Sequence, residues 1–248
     1  MFLSHENTLQ FQKEKQKFRS LHGKAKLRYI WDYYKLPIAI LCIILYIIGY
    51  SIYGHVTQKT TVLSAALVNV SVNDSLALEL TDDYLTDQNL NPKKMEFQLY
   101  SGLYLTDNEK DPNHEYTYAS RMKILGAIDS QSLDLVFMNK EAFDAFSQNG
   151  YLCNMERLLS QTDEKVYQLL SKYLQTNTVI LEDNAIDLYL DDSVTYTAQT
   201  AEYPMGLDIS NSPYIKNANM SETIYLGVIA NSPHQSEAVN YINYLFKK

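Results

Sequence analysis

One stretch of the chain is apolar without interruption. Residues Leu36–Gly54 contain no charged side chain, and ten of these nineteen residues are leucine or isoleucine. As a helix rising 1.5 Å per residue, the stretch is about 28 Å long, close to the ~30 Å of bilayer hydrocarbon. Trp31 and Tyr34 lie before it and Tyr50 and Tyr53 near its end, as interfacial aromatic residues do. The pattern predicts a transmembrane helix at residues 36–54. A cleaved signal peptide or a buried core helix fits less well.

Charge is distributed unevenly around this stretch. Residues 1–35 carry eight lysines and arginines against three acids, whereas the rest of the chain carries 13 basic and 26 acidic residues. Because basic flanks stay on the cytoplasmic side, we expect a basic cytoplasmic segment at residues 1–35 and an extracytoplasmic domain at 55–248. This predicts a single-pass protein of the cell membrane. The net charge of −8 argues against a nucleic-acid partner.

Beyond the apolar stretch, strand-like and helix-like patterns alternate. Short apolar runs rich in Val, Ile and Leu predict buried strands, and 3.6-residue periodicity predicts helices. Such alternation predicts an α/β fold, a three-layer domain with a mostly parallel sheet. The predicted strands are Val62–Val72, Met95–Leu103, Leu133–Met138 and Thr223–Ile229. The predicted helices are Leu76–Leu90, Tyr118–Asp129, Lys140–Gln148, Thr162–Leu174 and Ser236–Phe246.

Two segments resemble bacterial extracytoplasmic solute-binding proteins with the type II periplasmic binding fold. Ser130–Leu159 has the run Asp134-Leu135-Val136, a short helix, Gly150 and the pair Leu158-Leu159. Ile224–Phe246 is similar to the returning strand, the small-Asn-Ser turn and the final helix of that family. The resemblance implies a non-catalytic domain that recognises a ligand outside the cytoplasm.

The chain departs from that family in two respects. Only the 44 residues Ser160–Tyr203 separate the matched region from Pro204-Met205-Gly206, where the chain returns. An independent domain needs about 50–250 residues, so a normal second lobe is not expected. The transmembrane helix also replaces a secreted or lipid-anchored start. We therefore expect a derivative with about one lobe, in which a hinged clamp is doubtful.

The sequence contains no recognisable catalytic or metal-binding motif. The histidines at positions 5, 22, 55, 114 and 234 are scattered, so each is interpreted as an isolated surface residue. Cys153 is interpreted as a small packed hydrophobic residue, and the acid cluster Asp187–Asp192 lacks the glycine and the terminal glutamate of a calcium loop. We expect no cofactor, no metal and no enzymatic activity, and a surface hydrolase is the least supported alternative.

Ligand-binding candidates come from the position of polar residues in the predicted sheet. Ligands of open parallel sheets bind beyond the carboxyl ends of the strands, and polar side chains follow several of those ends. Asn139 also precedes a helix, and capping that helix is a better explanation for it than ligand contact. The candidate ligand-binding residues are Asn69, Ser71, Tyr100, Ser101, Asn139 and Asp208.

Two functional hypotheses follow. The first is a membrane-anchored recognition domain whose partner is a small solute, a peptide or a membrane protein. The second is a structural or accessory subunit of a membrane transporter complex that keeps the fold but has no small-molecule pocket.

The predicted topology can be tested by treating intact cells with a protease. We expect the bulk of residues 55–248 to be digested while residues 1–35 stay protected, because the basic flank holds the amino terminus inside. Epitope tags at each end report the two outcomes, and lysed cells provide the control. Survival of the carboxyl-terminal tag until lysis would contradict the predicted orientation.

Overall fold

The computed structural model describes residues 12–13, 15–16, 19–20, 22–190, 193–218 and 220–247. The chain divides into two compact units after Gln58. The first contains helix α1, Lys24–Thr57. Within α1, Tyr34–Gly54 has a mean hydropathy of 2.2 and 0% of it is buried inside the protein. This helix is long and apolar enough to cross a membrane, as the sequence predicted.

The second unit alternates helices and strands. Its helices are α2 (Asp74–Leu80), α3 (Asp82–Asp87), α4 (His114–Asp129), α5 (Lys140–Gln148), α6 (Met155–Thr162), α7 (Glu164–Leu170), α8 (Ala185–Leu190), α9 (Pro213–Asn217) and α10 (Gln235–Phe246). Its strands are β1 (Thr60–Val68), β2 (Met95–Leu103), β3 (Leu135–Met138), β4 (Leu174–Asp183), β5 (Ala198–Asp208) and β6 (Tyr225–Val228). A 3₁₀ turn at Ser171–Tyr173 leads from α7 into β4.

The strands form one six-stranded sheet in the order β2-β1-β3-β6-β5-β4. β1 runs parallel to both β2 and β3. β6 is antiparallel to β3 and to β5, and β5 is antiparallel to β4. The α/β prediction is confirmed, but the sheet is mixed. The parallel arrangement predicted from the sequence holds for β2-β1-β3, and the other half is antiparallel because β6 enters the sheet between β3 and β5.

Helices cover both faces of the sheet and bury its centre. Side chains of β1 alternate between the faces, as in any strand, and every residue from Leu63 to Val68 is at most 2% exposed. Leu63, Ala65 and Leu67 pack with residues of α2, α3, α6, α7, α9 and α10. Ala66 and Val68 pack with α4 and α5 on the other face. The three-layer arrangement is therefore present.

Several element boundaries differ from the predicted ones. The helix predicted at Leu76–Leu90 is two short helices that meet at Thr81, whose φ of −121° is not helical. The helix predicted at Thr162–Leu174 ends at Leu170, and β4 begins at Leu174. β4 and β5 were not predicted, because most of their residues are half-buried or exposed and give no regular hydrophobic pattern.

A cluster of tyrosines joins helix α10 to helix α2. Tyr241 is fully buried on α10, and its hydroxyl donates to the carbonyl oxygen of Leu80 at 2.9 Å. The Tyr244 hydroxyl donates to the carbonyl oxygen of Glu79 at 2.8 Å. The rings of Tyr84 and Tyr241 meet edge to face with centroids 4.9 Å apart. Burial raises the pKa of Tyr241 well above its ordinary value.

These tyrosines predict a loss of stability at alkaline pH. Burial, with smaller effects from Glu237 and Asp87, raises the pKa of Tyr84 to about 12. A tyrosine in the unfolded chain ionises near pH 10, so its contribution is complete below about pH 10 and is lost as the pH rises through about 12. Denaturant unfolding of the chain in detergent at increasing pH, followed by tyrosinate absorbance, measures this loss.

The Tyr241→Phe variant is the matched comparison. It should cost about 0.5–1.5 kcal/mol at neutral pH for the lost hydrogen bond, and its stability should fall less steeply above pH 10 because one ionising group has been removed. A free energy of unfolding that stays flat up to pH 12 in the wild-type chain would contradict the prediction.

Candidate functional site

The carboxyl ends of the three parallel strands lie at one edge of the sheet, called here the carboxyl edge. β1, β2 and β3 reach it at Val68, Leu103 and Met138. The chain leaves β1 for β2 on one side and returns to β3 on the other side. Ligands of open α/β sheets bind in the crevice at such a switch point. The crevice between the ends of β1 and β3 is therefore the first place to look for a site.

Two of the predicted ligand-binding residues meet in this crevice. Asn69 directly follows β1 and Asn139 directly follows β3, and the Asn69 side-chain amide donates to Asn139 Oδ1 at 3.2 Å. Asn69 has a φ of 57°, a left-handed conformation that asparagine tolerates better than most residues. Asn139 Oδ1 also accepts from the backbone N–H of Ala142 at 3.0 Å. Asn139 thus caps α5, as the sequence predicted.

Asn69 also binds the chain that follows β2. Its Nδ2 donates to the Leu105 carbonyl oxygen at 2.7 Å, and its Oδ1 accepts from the Leu105 N–H at 2.8 Å. We call Asn69, Leu105 and Asn139 the asparagine clasp. Both polar atoms of the Asn69 side chain already serve the protein itself. A ligand at this point would have to replace those hydrogen bonds, since breaking them leaves backbone groups unsatisfied.

The other candidate residues do not converge on the crevice. Tyr100 is half-buried with Lys123 Nζ 5.3 Å from its ring centroid, on the face covered by α4. Ser101 is exposed and lies beside α2 on the opposite face, and Ser71 is exposed between β1 and α2. Asp208 is opposite Tyr225, which is opposite Met138, so it lies two strands away along the same edge. Its Oδ1 accepts from the Ser210 N–H at 2.9 Å.

Open concavities occur on both faces of the sheet. One, with a volume of about 310 Å³, lies between α4 and α5 and is lined by Asp107, Arg121, Asn149 and Tyr151 among others. Arg121 and Asp107 form an ion pair there at 2.6 Å. The other, of about 480 Å³, lies against α2 and is lined by Leu67, Thr81, Ser101 and neighbouring residues. Of the asparagine clasp, Leu105 lines the concavity between α4 and α5, whereas Asn69 and Asn139 line neither of the two.

A polar cluster that the sequence did not reveal lies at the start of β3. Asp134 is 1% exposed, and its Oδ2 accepts from the Ser64 backbone N–H at 2.8 Å and from Ser64 Oγ at 3.1 Å. Its Oδ1 accepts from Ser232 Oγ at 2.7 Å and lies 3.1 Å from His234 Nδ1. The prediction that His234 is an isolated surface histidine is therefore wrong.

The connectivity of this aspartate cluster (Ser64, Asp134, Ser232 and His234) differs from that of a hydrolase triad. In a triad the base lies between the carboxylate and the hydroxyl. Here Ser232 Oγ donates directly to the carboxylate and accepts from the His234 backbone N–H at 3.0 Å. A carboxylate only accepts hydrogen bonds, so His234 bonds to Asp134 Oδ1 in the form of the ring that has its proton on Nδ1. The cluster cross-links β1, β3 and the turn that follows β6.

The remaining candidate chemistry is limited among the described residues. Cys153 is half-buried against the core, and burial raises the pKa of its thiol to about 12. The thiolate is the reactive form, so Cys153 stays protonated at neutral pH, in keeping with the packed residue that the sequence predicted. Within the part of the chain that the structure describes, no group of three or more His, Cys, Asp or Glu side chains could hold a metal ion.

Comparison with known proteins adds no relative. No protein-family model matches the sequence, and no significantly similar curated protein or solved structure was found.

The buried hydrogen bonds of the aspartate cluster predict that a conservative substitution of Asp134 lowers the stability of the fold considerably. Asp134→Asn should lower the free energy of unfolding by about 2–4 kcal/mol, because the amide nitrogen cannot accept the hydrogen bonds that a carboxylate oxygen accepts in a buried site. Denaturant unfolding measures the change. Asp129→Asn, at the exposed end of α4, is the control and should change stability by less than about 0.5 kcal/mol. Equal effects of the two substitutions would refute the assignment.

Proposed function

We propose that the chain is a membrane-anchored, non-catalytic recognition domain whose partner is another membrane protein. In this proposal α1 spans the membrane, the basic segment is cytoplasmic and the α/β unit lies outside the cytoplasm. The domain is a single-lobe derivative of the type II periplasmic binding fold, as the resemblance of Ser130–Leu159 and Ile224–Phe246 implies. One six-stranded sheet in one compact unit is compatible with a single lobe.

The asparagine clasp is the observation that carries this proposal. A small-solute site at the switch point needs polar groups that face the ligand. The Asn69 and Asn139 side chains instead bond to each other, to Leu105 and to the start of α5. This crevice therefore serves the fold, which favours recognition through the outer surface over capture of a solute between strand ends.

The outer surface carries a segment suited to recognition. Large apolar side chains are exposed between residues 174 and 208, a segment with β4, α8 and β5 that we call the arm. Leu181 is 55% exposed, Ile186 76%, Tyr196 47% and Tyr203 40%. Residues 173–215 contain seven acidic residues and no lysine, arginine or histidine. Exposed apolar side chains rimmed by charge are typical of protein interaction sites. The arm thus favours a partner with a basic rim.

A small solute is the second candidate ligand. The concavity between α4 and α5 is within the size range of ligand sites, and Arg121, Asn149 and Tyr151 supply polar groups around it. A solute that raises the melting temperature of the wild-type chain but not of an Arg121→Ala variant would support this alternative.

Affinity purification from native membranes tests the proposed partner. The wild-type chain should retain a membrane protein in stoichiometric amount, and Ile186→Asp should reduce its recovery by about tenfold, since a central apolar contact is worth at least ~1.4 kcal/mol. Tyr118→Asp is the matched control, because Tyr118 on α4 is also 76% exposed. Recovery that is equal in both variants, or no specific partner at all, would count against recognition through the arm.

A further inference from the structure

β4 is the terminal strand of the sheet, and its outer edge has no strand partner in the described parts of the chain. The strand is ten residues long, Leu174–Asp183. A free edge exposes backbone N–H and C=O groups that another strand can pair with, and proteins ordinarily protect such edges with charge, proline or a break in the strand.

The two edges of this sheet differ in that protection. At the opposite edge, β2 contains Glu96 and is interrupted by Gly102, which has a φ of 70°. In β4 no charged residue and no proline occur from Leu174 to Leu181. Four residues in this stretch are β-branched, which favours strand pairing. They are Thr176, Thr178, Val179 and Ile180. Charged residues thus protect β4 only at its end, at Glu182 and Asp183, although two register shifts interrupt its pairing with β5, as two interrupt the pairing of β2 with β1.

β4 is fixed by contacts with β5, with α5 and with the core. β5 pairs with it along its length, Asn177 Nδ2 donates to Asp144 Oδ1 of α5 at 2.8 Å, and Val179 packs against the core on that face. A strand fixed in its extended conformation loses little conformational freedom when it pairs, which favours association.

Charges at the two ends of β4 distinguish between directions of pairing. Lys172 lies just before the strand, and Glu182 and Asp183 end it; all three are exposed. If two copies of β4 pair antiparallel, Lys172 of each copy lies beside Glu182 and Asp183 of the other. Parallel pairing would bring like charges together, which is unfavourable.

We propose that two copies of this chain associate through antiparallel pairing of their β4 edges. The two six-stranded sheets then form one continuous sheet about a two-fold axis near Asn177. The same edge is used by both copies, so the interface is isologous and closes at the dimer. This inference depends on the β4 edge and on the charges at its two ends, and its test does not require the partner proposed above, although β4 is also part of the arm.

Cross-linking of the full chain in detergent micelles tests the dimer. A Cys42→Ser parent removes the exposed cysteine, and the parent without an added cysteine reports any background from Cys153. Thr176→Cys in that parent, treated with a short bismaleimide, should give a covalent dimer. Gln98→Cys is the matched control, since Gln98 is also exposed but lies on the β2 edge. No more dimer from Thr176→Cys than from Gln98→Cys would overturn the proposal.

Charge exchange tests the antiparallel direction. Adding Lys172→Glu to Thr176→Cys should reduce the cross-linked fraction by about fivefold at low salt, because two symmetric exposed ion pairs become repulsive. Adding Glu182→Lys and Asp183→Lys to that variant should restore it. Circular dichroism and the melting temperature check that each variant is folded. Cross-linking that is insensitive to Lys172→Glu, or that the exchange fails to restore, would refute this mode of pairing.

Discussion

Asp134 carries its carboxylate almost completely out of water, and such a group is tolerated only when donors surround it. Its donors come from three parts of the chain: Ser64 on β1, and Ser232 and His234 beyond β6. The carboxylate is satisfied only when β1, β3 and the turn after β6 occupy their native positions together. One buried charge thereby fixes the arrangement in which a parallel and an antiparallel half share a sheet.

The asparagine clasp performs a related task at the carboxyl ends of the same two strands, β1 and β3. Asn69 and Asn139 use side-chain amides to join the ends of β1 and β3 and to hold the chain at Leu105. The position that α/β sheets commonly reserve for a ligand is here occupied by the protein's own polar groups. Exposed apolar side chains lie elsewhere, along the arm, together with acidic residues.

The sequence predicted the features that depend on neighbouring residues. The bounds of β2 and α5 agree with the predicted ones, since Asn139 caps α5 and Gly150, with a φ of 68°, follows it. The aspartate cluster was missed because Asp134 and His234 are 100 residues apart and no local pattern joins them. β4 was missed because a half-buried strand of Thr, Asn and Gln lacks both a continuous apolar run and a regular alternation.

The place of β6 in the sheet has a consequence for how the chain is made. β6 comes after the other five strands of the sheet in chain order, yet it lies between β3 and β5. Until Tyr225–Val228 has been synthesised, the nascent chain holds two separate pieces of sheet whose facing edges are unsatisfied. A premature stop codon before Tyr225 would therefore remove the strand that joins them, leaving a product prone to aggregation and proteolysis.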